Sequence, residues 1–245
     1  MLDTHTFSDT ASTIREASEA LVDILTQYKT VPILFLMSGG SSLKLLDAVP
    51  PELFDARVTM GMLDERFSSD PAVNNYLHLI ETKLYKTVTM RGIPCFESVP
   101  KAGESIAEFT KRYEDYLKAW RMGHADGVII ATQGIGPDGH TAGIMPYPDD
   151  QRTFEFYFED SDVWVVGYDA GVRNPYPLRV TVSLPFLRNI DVSIVYAVGS
   201  DKKNALDAAL APSGEVYKTP ARIIRDMKHC LLYTDQPVDR VGKEA

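Results

Sequence analysis

Residues 31–42 read Val31-Pro32-Ile33-Leu34-Phe35-Leu36-Met37-Ser38-Gly39-Gly40-Ser41-Ser42. Val31–Met37 is an unbroken apolar run of strand length, the pattern of a strand buried on both faces. Pro32 sits near its start, where a strand tolerates a missing N–H. The run stops at a small polar turn, and Leu43–Ala48 then reads as a short helix. The unit recurs along the chain. Val58–Leu63 is closed by Asp64-Glu65-Arg66, Gly127–Ala131 leads into a glycine-rich turn at Gly134–Gly139, and Ser193–Val198 runs into Gly199-Ser200 ahead of a helical Asp201–Leu210.

The segments between these runs have helical spacing. Ser8–Tyr28 places Ile14, Ala17, Leu21, Ile24 and Leu25 on one side, and Ile106–Trp120 turns Phe109, Tyr113, Tyr116 and Leu117 inward. Asn75–Leu84 is helical in spacing, and Val163–Val166, Arg179–Val182 and His229–Tyr233 are further strand candidates. Helices alternating with apolar strands imply crossover connections. The expected fold is α/β and Rossmann-like, a mostly parallel sheet flanked by helices on both faces. In such sheets ligands collect at the carboxyl ends of the strands. Ser38-Gly39-Gly40, Asp64-Glu65-Arg66, Gly134–His140 and Gly199-Ser200 each follow a strand candidate directly, so they are expected to share one site. Met145–Asp162, rich in Pro, Asp and aromatics, reads as a long loop or irregular insertion. No linker divides the chain, and residues 1–245 are expected to form one domain.

Composition narrows the function. The chain has 245 residues, 44% of them apolar, enough for a substantial core without disulfides or a structural metal. A net charge of -9 argues against broad binding to nucleic acid or anionic membranes, so any anion site must be a local pocket of cations. Cys95 and Cys230 have no neighbours at metal-ligand spacing and read as buried apolar thiols. Met1–Ser18 is polar and mixed in charge, unlike a signal peptide, and no apolar run reaches the roughly 20 residues of a membrane helix. A cytoplasmic protein is expected.

Three turns carry chemistry. In Ser38–Ser42 a glycine pair lets backbone N–H groups approach an anion at a helix start, although a tight turn with a serine cap has the same sequence. The spacing fits neither a Walker loop nor a dinucleotide fingerprint. Asp64-Glu65-Arg66 offers a carboxylate for a polyol or a proton and a guanidinium for a phosphate; on an ordinary loop it would be a solvated charge cluster. In Gly134-Ile135-Gly136-Pro137-Asp138-Gly139-His140-Thr141-Ala142 a carboxylate lies one residue away from an imidazole. Asp138 is placed to orient His140, which then activates water near neutral pH.

"GIGPDGHTA" after one strand, "LDER" after an earlier one, "SGGSS" before both, and Leu178–Pro185 followed by "VYAVGSDKKNAL" resemble the 6-phosphogluconolactonase and glucosamine-6-phosphate deaminase family. The blocks occur in the family's order over roughly residues 30 to 210. The resemblance implies a NagB/RpiA/CoA transferase-like fold and hydrolysis of a 6-phosphogluconolactone. It also separates two branches. Deaminases resembling this chain carry a glutamate a few residues after the histidine, where this chain has Met145. Lactonases usually read GGSTP and ASLFPG, where this chain has Ser42-Leu43 and Ala142-Gly143-Ile144-Met145-Pro146-Tyr147.

The site this resemblance implies has His140, Asp138 and Asp64 as catalytic residues. Gly39, Gly40, Ser41, Ser42, Arg66, Arg179 and Lys202 are expected around the substrate's phosphate, with Lys203 competing for the place of Lys202. Asn75 joins Asp64 on sugar hydroxyls or water. No metal or organic cofactor is expected. The expected partner is a small sugar phosphate, bound by a monomer or homodimer. A deaminase or isomerase, and a non-catalytic sugar-phosphate sensor, are the rival readings.

Overall fold

The computed structural model describes residues 1–238. The elements in chain order are β1 (Leu2–Thr6), α1 (Thr10–Gln27), β2 (Ile33–Met37), β3 (Val58–Met62), β4 (Asp64–Arg66), α2 (Asn75–Leu79), α3 (Lys83–Thr89), α4 (Ile106–Gly123), β5 (Val128–Gln133), α5 (Gln151–Phe158), β6 (Val165–Asp169), β7 (Leu178–Val182), α6 (Leu184–Asn189), β8 (Val192–Ala197), α7 (Lys203–Leu210) and β9 (Cys230–Thr234). Six strands pair in the order β1-β9-β8-β5-β2-β3, and every pair is parallel. Three form a second, antiparallel sheet, β4-β7-β6.

Alternation along β2 shows why its apolar run is continuous. Leu34 and Leu36 face a core shared with α4, while Ile33, Phe35 and Met37 face a core shared with α1. Both sets are fully buried, as a central strand covered by helices on both faces requires. Asp9 caps α1 by accepting from Ser12 N, and Ser105 with Glu108 closes a capping box on α4. Cys230 is buried and Cys95 half-buried, and burial pushes both thiols up to about 12.

Several expectations need correction. Met145–Asp162 is not an irregular loop throughout, because it contains α5. Asp150 caps this helix, and Phe154 and Phe158, one turn apart, are buried against Tyr147. Two buried positions in a helix this short establish no period that a sequence could display. The helical stretch Asn75–Leu84 is two helices, since Thr82 accepts from Tyr85 N and starts α3. Leu43–Ala48 belongs to a 3₁₀ segment, Gly40–Ala48. Asp64-Glu65-Arg66 is itself a strand. With Val163–Val166, observed as Val165–Asp169, and Arg179–Val182, it builds the second sheet rather than extending the parallel one. β1 went unread because its residues are half-buried and mostly polar, as suits an edge strand paired on one side.

Candidate active site

The strands β8, β5, β2 and β3 are neighbours in the sheet, so the segments leaving their carboxyl ends must meet. They enclose a cavity of about 190 Å³ lined by Ser38–Ser41, Asp64, Arg66, Asn75, Gly134–Pro137, His140, Ala142, Arg179 and Lys202. Nearly every expected site residue is here. A larger cavity of about 560 Å³ opens at the opposite end of β5, beside Arg121, Trp164 and Asp191. There Asp191 already accepts from Lys228 and from Ile129 N, and none of the polar turns reaches it. The smaller cavity is therefore the candidate site.

His140 is held from behind. Its Nδ1 lies 2.5 Å from Asp138 Oδ1, which also accepts from the His140 backbone N–H at 3.2 Å. Burial raises the Asp138 carboxyl, but the hydrogen bond and charge of His140 outweigh it and leave the group below its usual range. An ionised carboxylate only accepts, so Nδ1 carries a proton, and in the neutral imidazole the lone pair is then on Nε2. Asp138 itself is not part of the cavity wall and acts through the imidazole. A Cβ on Gly136 would run into both His140 Nδ1 and Asp138 Oδ1, so the glycine makes the pairing possible. Two residues beyond the histidine, Ala142 has φ 48°, the single non-glycine with positive φ among the described residues. Its strained backbone is clamped by Thr181 Oγ1, which accepts from Gly143 N at 3.0 Å, and by Tyr168, whose hydroxyl donates to Gly143 O at 2.6 Å.

The anion side is assembled from two turns. After β2, the 3₁₀ segment starts at Gly40, leaving its first N–H groups without partners inside the segment. A Cβ on Gly39 would collide with Asn75 Oδ1, so this turn and α2 touch only because residue 39 is glycine. Ser41 lines the cavity, but Ser42 does not. Its buried hydroxyl donates to Ser38 O at 2.8 Å and Gly39 O at 3.0 Å, holding the turn rather than a ligand. That corrects the expected role of Ser42. A serine after a glycine pair can face a ligand or bond back to preceding carbonyls, and the second is realised here.

Cations surround this turn. Arg66 is steadied by Val73 O at 2.8 Å and lies over the Tyr176 ring, 5.7 Å from its centroid. Lys202 reaches the cavity, whereas Lys203 is tied to Asp207 on its own helix. Arg179 is 2% exposed and its Nη2 lies 3.3 Å from Asp64 Oδ2, so it is a floor residue paired with a carboxylate rather than a loose phosphate clamp. Asn75 Nδ2 donates to Asp64 O at 3.0 Å and to Asp64 Oδ2 at 3.3 Å. Arg66 Nε, Arg179 Nε and Asn75 Oδ1 are buried and make no hydrogen bond to the described residues. Three cations against the one carboxylate of Asp64 give this cavity the opposite sign to the chain as a whole.

Sequence reasoning missed Ala142 and Tyr176, and read Glu65 only as half of an acidic pair with Asp64. No periodicity announces a positive φ or a ring seated over a guanidinium. The charge of Glu65 was read with its neighbours rather than against them.

Residues 8–233 match the family described as glucosamine-6-phosphate isomerases/6-phosphogluconolactonase. The chain is 28% identical to 6-phosphogluconolactonase from Bos taurus over 204 residues, covering 77% of this chain and 72% of the relative. It is 29% identical to 6-phosphogluconolactonase from Homo sapiens over 194 residues, 73% and 69% of the two chains. The fold is similar to the crystal structure of 6-phosphogluconolactonase from Leishmania guyanensis, with TM-score 0.71, 21% identity and 99% of each chain covered. It is also similar to the 6-phosphogluconolactonase from Thermotoga maritima, with TM-score 0.69, 18% identity and 96% and 99% covered.

Proposed function

Because this chain belongs to the glucosamine-6-phosphate isomerase/6-phosphogluconolactonase family, we propose that it hydrolyses 6-phospho-D-glucono-1,5-lactone to 6-phosphogluconate, a step of the pentose phosphate pathway, with water activated by His140. One observation carries this reading. The imidazole, oriented by Asp138, shares a cavity with a glycine turn and the cations Arg66 and Lys202. A base and an anion cradle so close suit a substrate with an ester at one end and a phosphate at the other.

The chemistry follows from the placement. The phosphate rests against the backbone N–H groups of Gly40 and Ser41, with Arg66 and Lys202 neutralising its charge. His140 Nε2 takes a proton from water as the oxygen attacks the lactone carbonyl carbon, and the Asp138 carboxylate stabilises the imidazolium. Other backbone N–H groups at the cavity wall hold the tetrahedral oxyanion. Collapse breaks the bond to the ring oxygen, which takes the proton back from Nε2. Asp64 and Asn75 hold sugar hydroxyls, with Arg179 paired to Asp64 from the cavity floor. A positioned acid–base group contributes about 10²–10⁴-fold, adequate for a lactone that already hydrolyses unaided. The whole chain acts as one domain, as a cytoplasmic monomer or homodimer, on a small substrate and without a metal.

Purified protein given freshly generated lactone in excess EDTA is expected to release acid well above the spontaneous rate. Ammonia release from glucosamine 6-phosphate would move the protein to the deaminase branch. Tight binding of a sugar phosphate with no turnover would make it a sensor. The fully buried Met145, where that branch carries a carboxylate, favours the lactonase.

A further inference from the structure

Glu65 lies between two cavity residues but does not line the cavity. In a strand, successive side chains point to opposite faces, so Asp64 and Arg66 face the cavity while Glu65 faces the interior. It is 0% exposed, and four groups converge on its carboxyl. Oε1 accepts from Asn75 N at 2.6 Å and from Arg66 N at 2.8 Å. Oε2 accepts from Tyr76 N at 2.9 Å and lies 3.1 Å from Ser98 Oγ. Three of these are backbone groups, two of them in residues that wall the cavity.

We infer that Glu65 is a positioning residue for the hydrolysis proposed above: its buried carboxyl pins the backbones of Asn75 and Arg66, and thereby fixes the Asn75 side chain against Asp64 and the Gly39 turn. This rests on the lactonase reading. Every link is short. Asn75 is the first residue of α2, and with Tyr76 it presents N–H groups that no preceding turn can satisfy. Asn74 caps only Leu77 N, at 2.9 Å. Glu65 takes the remaining two, so the carboxyl decides where α2 begins and where the Asn75 amide points. Burial pushes this carboxyl up to about 8, against the N–H groups of Asn75, Tyr76 and Arg66, with the Asp64 charge adding to the rise. The neutral acid also satisfies all four contacts, because Oε2–H can donate to Ser98 Oγ while both oxygens keep accepting N–H.

That pattern separates the substitutions. Glu65→Ala removes every bond. Glu65→Gln keeps an oxygen for Asn75 and Arg66 and an amide to donate to Ser98, and turns only the Tyr76 bond into a donor–donor contact. The test is steady-state hydrolysis of fresh 6-phosphogluconolactone, below the melting temperature of each variant, for the intact chain and for Glu65→Ala, Glu65→Gln, Asn75→Ala and the Glu65→Ala/Asn75→Ala double variant. Glu65→Ala is expected to lower kcat/KM by about tenfold or more, and Glu65→Gln to restore it to within about threefold. The losses from Glu65→Ala and Asn75→Ala are expected not to multiply, because one residue acts through the other. Native kinetics in Glu65→Ala, or losses that multiply in the double variant, would overturn the inference. If Glu65→Ala does not fold, Glu65→Asp replaces it. It keeps the charge but is one methylene too short to reach the N–H groups, so Gln ahead of Asp supports positioning and Asp equal or ahead refutes it. An unsubstituted chain without lactone turnover would sink the proposed function itself, a result distinct from either.

Discussion

His140 and Arg66 are both half-buried at the cavity but are held in different ways. The imidazole is 26% exposed on its side chain and needs solvent as a reactant, whereas the guanidinium is gripped by Val73 O and covered by Tyr176. In the proposed mechanism they serve separate steps. There Arg66 binds the phosphate, so its loss should discriminate between substrates. Arg66→Ala is expected to reduce kcat/KM for the phosphorylated lactone about ten- to a hundredfold, the worth of one or two charge-assisted hydrogen bonds. Hydrolysis of an unphosphorylated δ-lactone should change little. Equal losses on the two lactones would mean that Arg66 serves the ester and not the phosphate. At this scale the sequence was informative about identity and less so about posture. Asp138, His140, Asp64 and Lys202 stand where their spacing and strand-end positions placed them. Ser42 and Arg179 show the limit, because a hydroxyl that donates back to the turn's carbonyls and a guanidinium already paired with Asp64 at the cavity floor look no different in sequence from ligand contacts.

Elements divide between those that aim the site and those that fill space behind it. α2 belongs to the first group, since its opening residue Asn75 supports Asp64. α5 belongs to the second. Phe154 and Phe158 pack with Tyr147 in an aromatic cluster whose side chains are absent from the cavity wall. Phe154→Ala should therefore cost about 3–5 kcal/mol of stability, the usual penalty for emptying a buried aromatic position. Chemical denaturation checks the loss, and the folded fraction should keep its kcat and KM. A changed kcat would place α5 in the machinery. The central strand β2 was legible because Leu34 and Leu36 oppose Ile33, Phe35 and Met37 in an unbroken apolar run buried on both faces. α5, β1 and the division of the strands into two sheets were not. Each is too short or too polar for a period, and pairing partners such as Asp64 with Thr181 are set by contacts far apart in the chain.

In the whole molecule, a parallel sheet with four adjacent strands delivers polar turns to one rim, and a small antiparallel sheet closes them from the side. The central strands commit the turns to meet before any side chain is considered. Within the rim, an imidazole backed by a carboxylate faces a cradle of N–H groups and cations. The central claim is that this imidazole is the base that activates water. The direct measurement is the single-turnover rate of His140→Ala on freshly generated 6-phosphogluconolactone at neutral pH, with binding of 6-phosphogluconate measured in parallel. The rate is expected to fall by about 10²–10⁴ while product binding stays close to that of the unsubstituted chain. An unchanged rate in a folded His140→Ala variant would contradict the account.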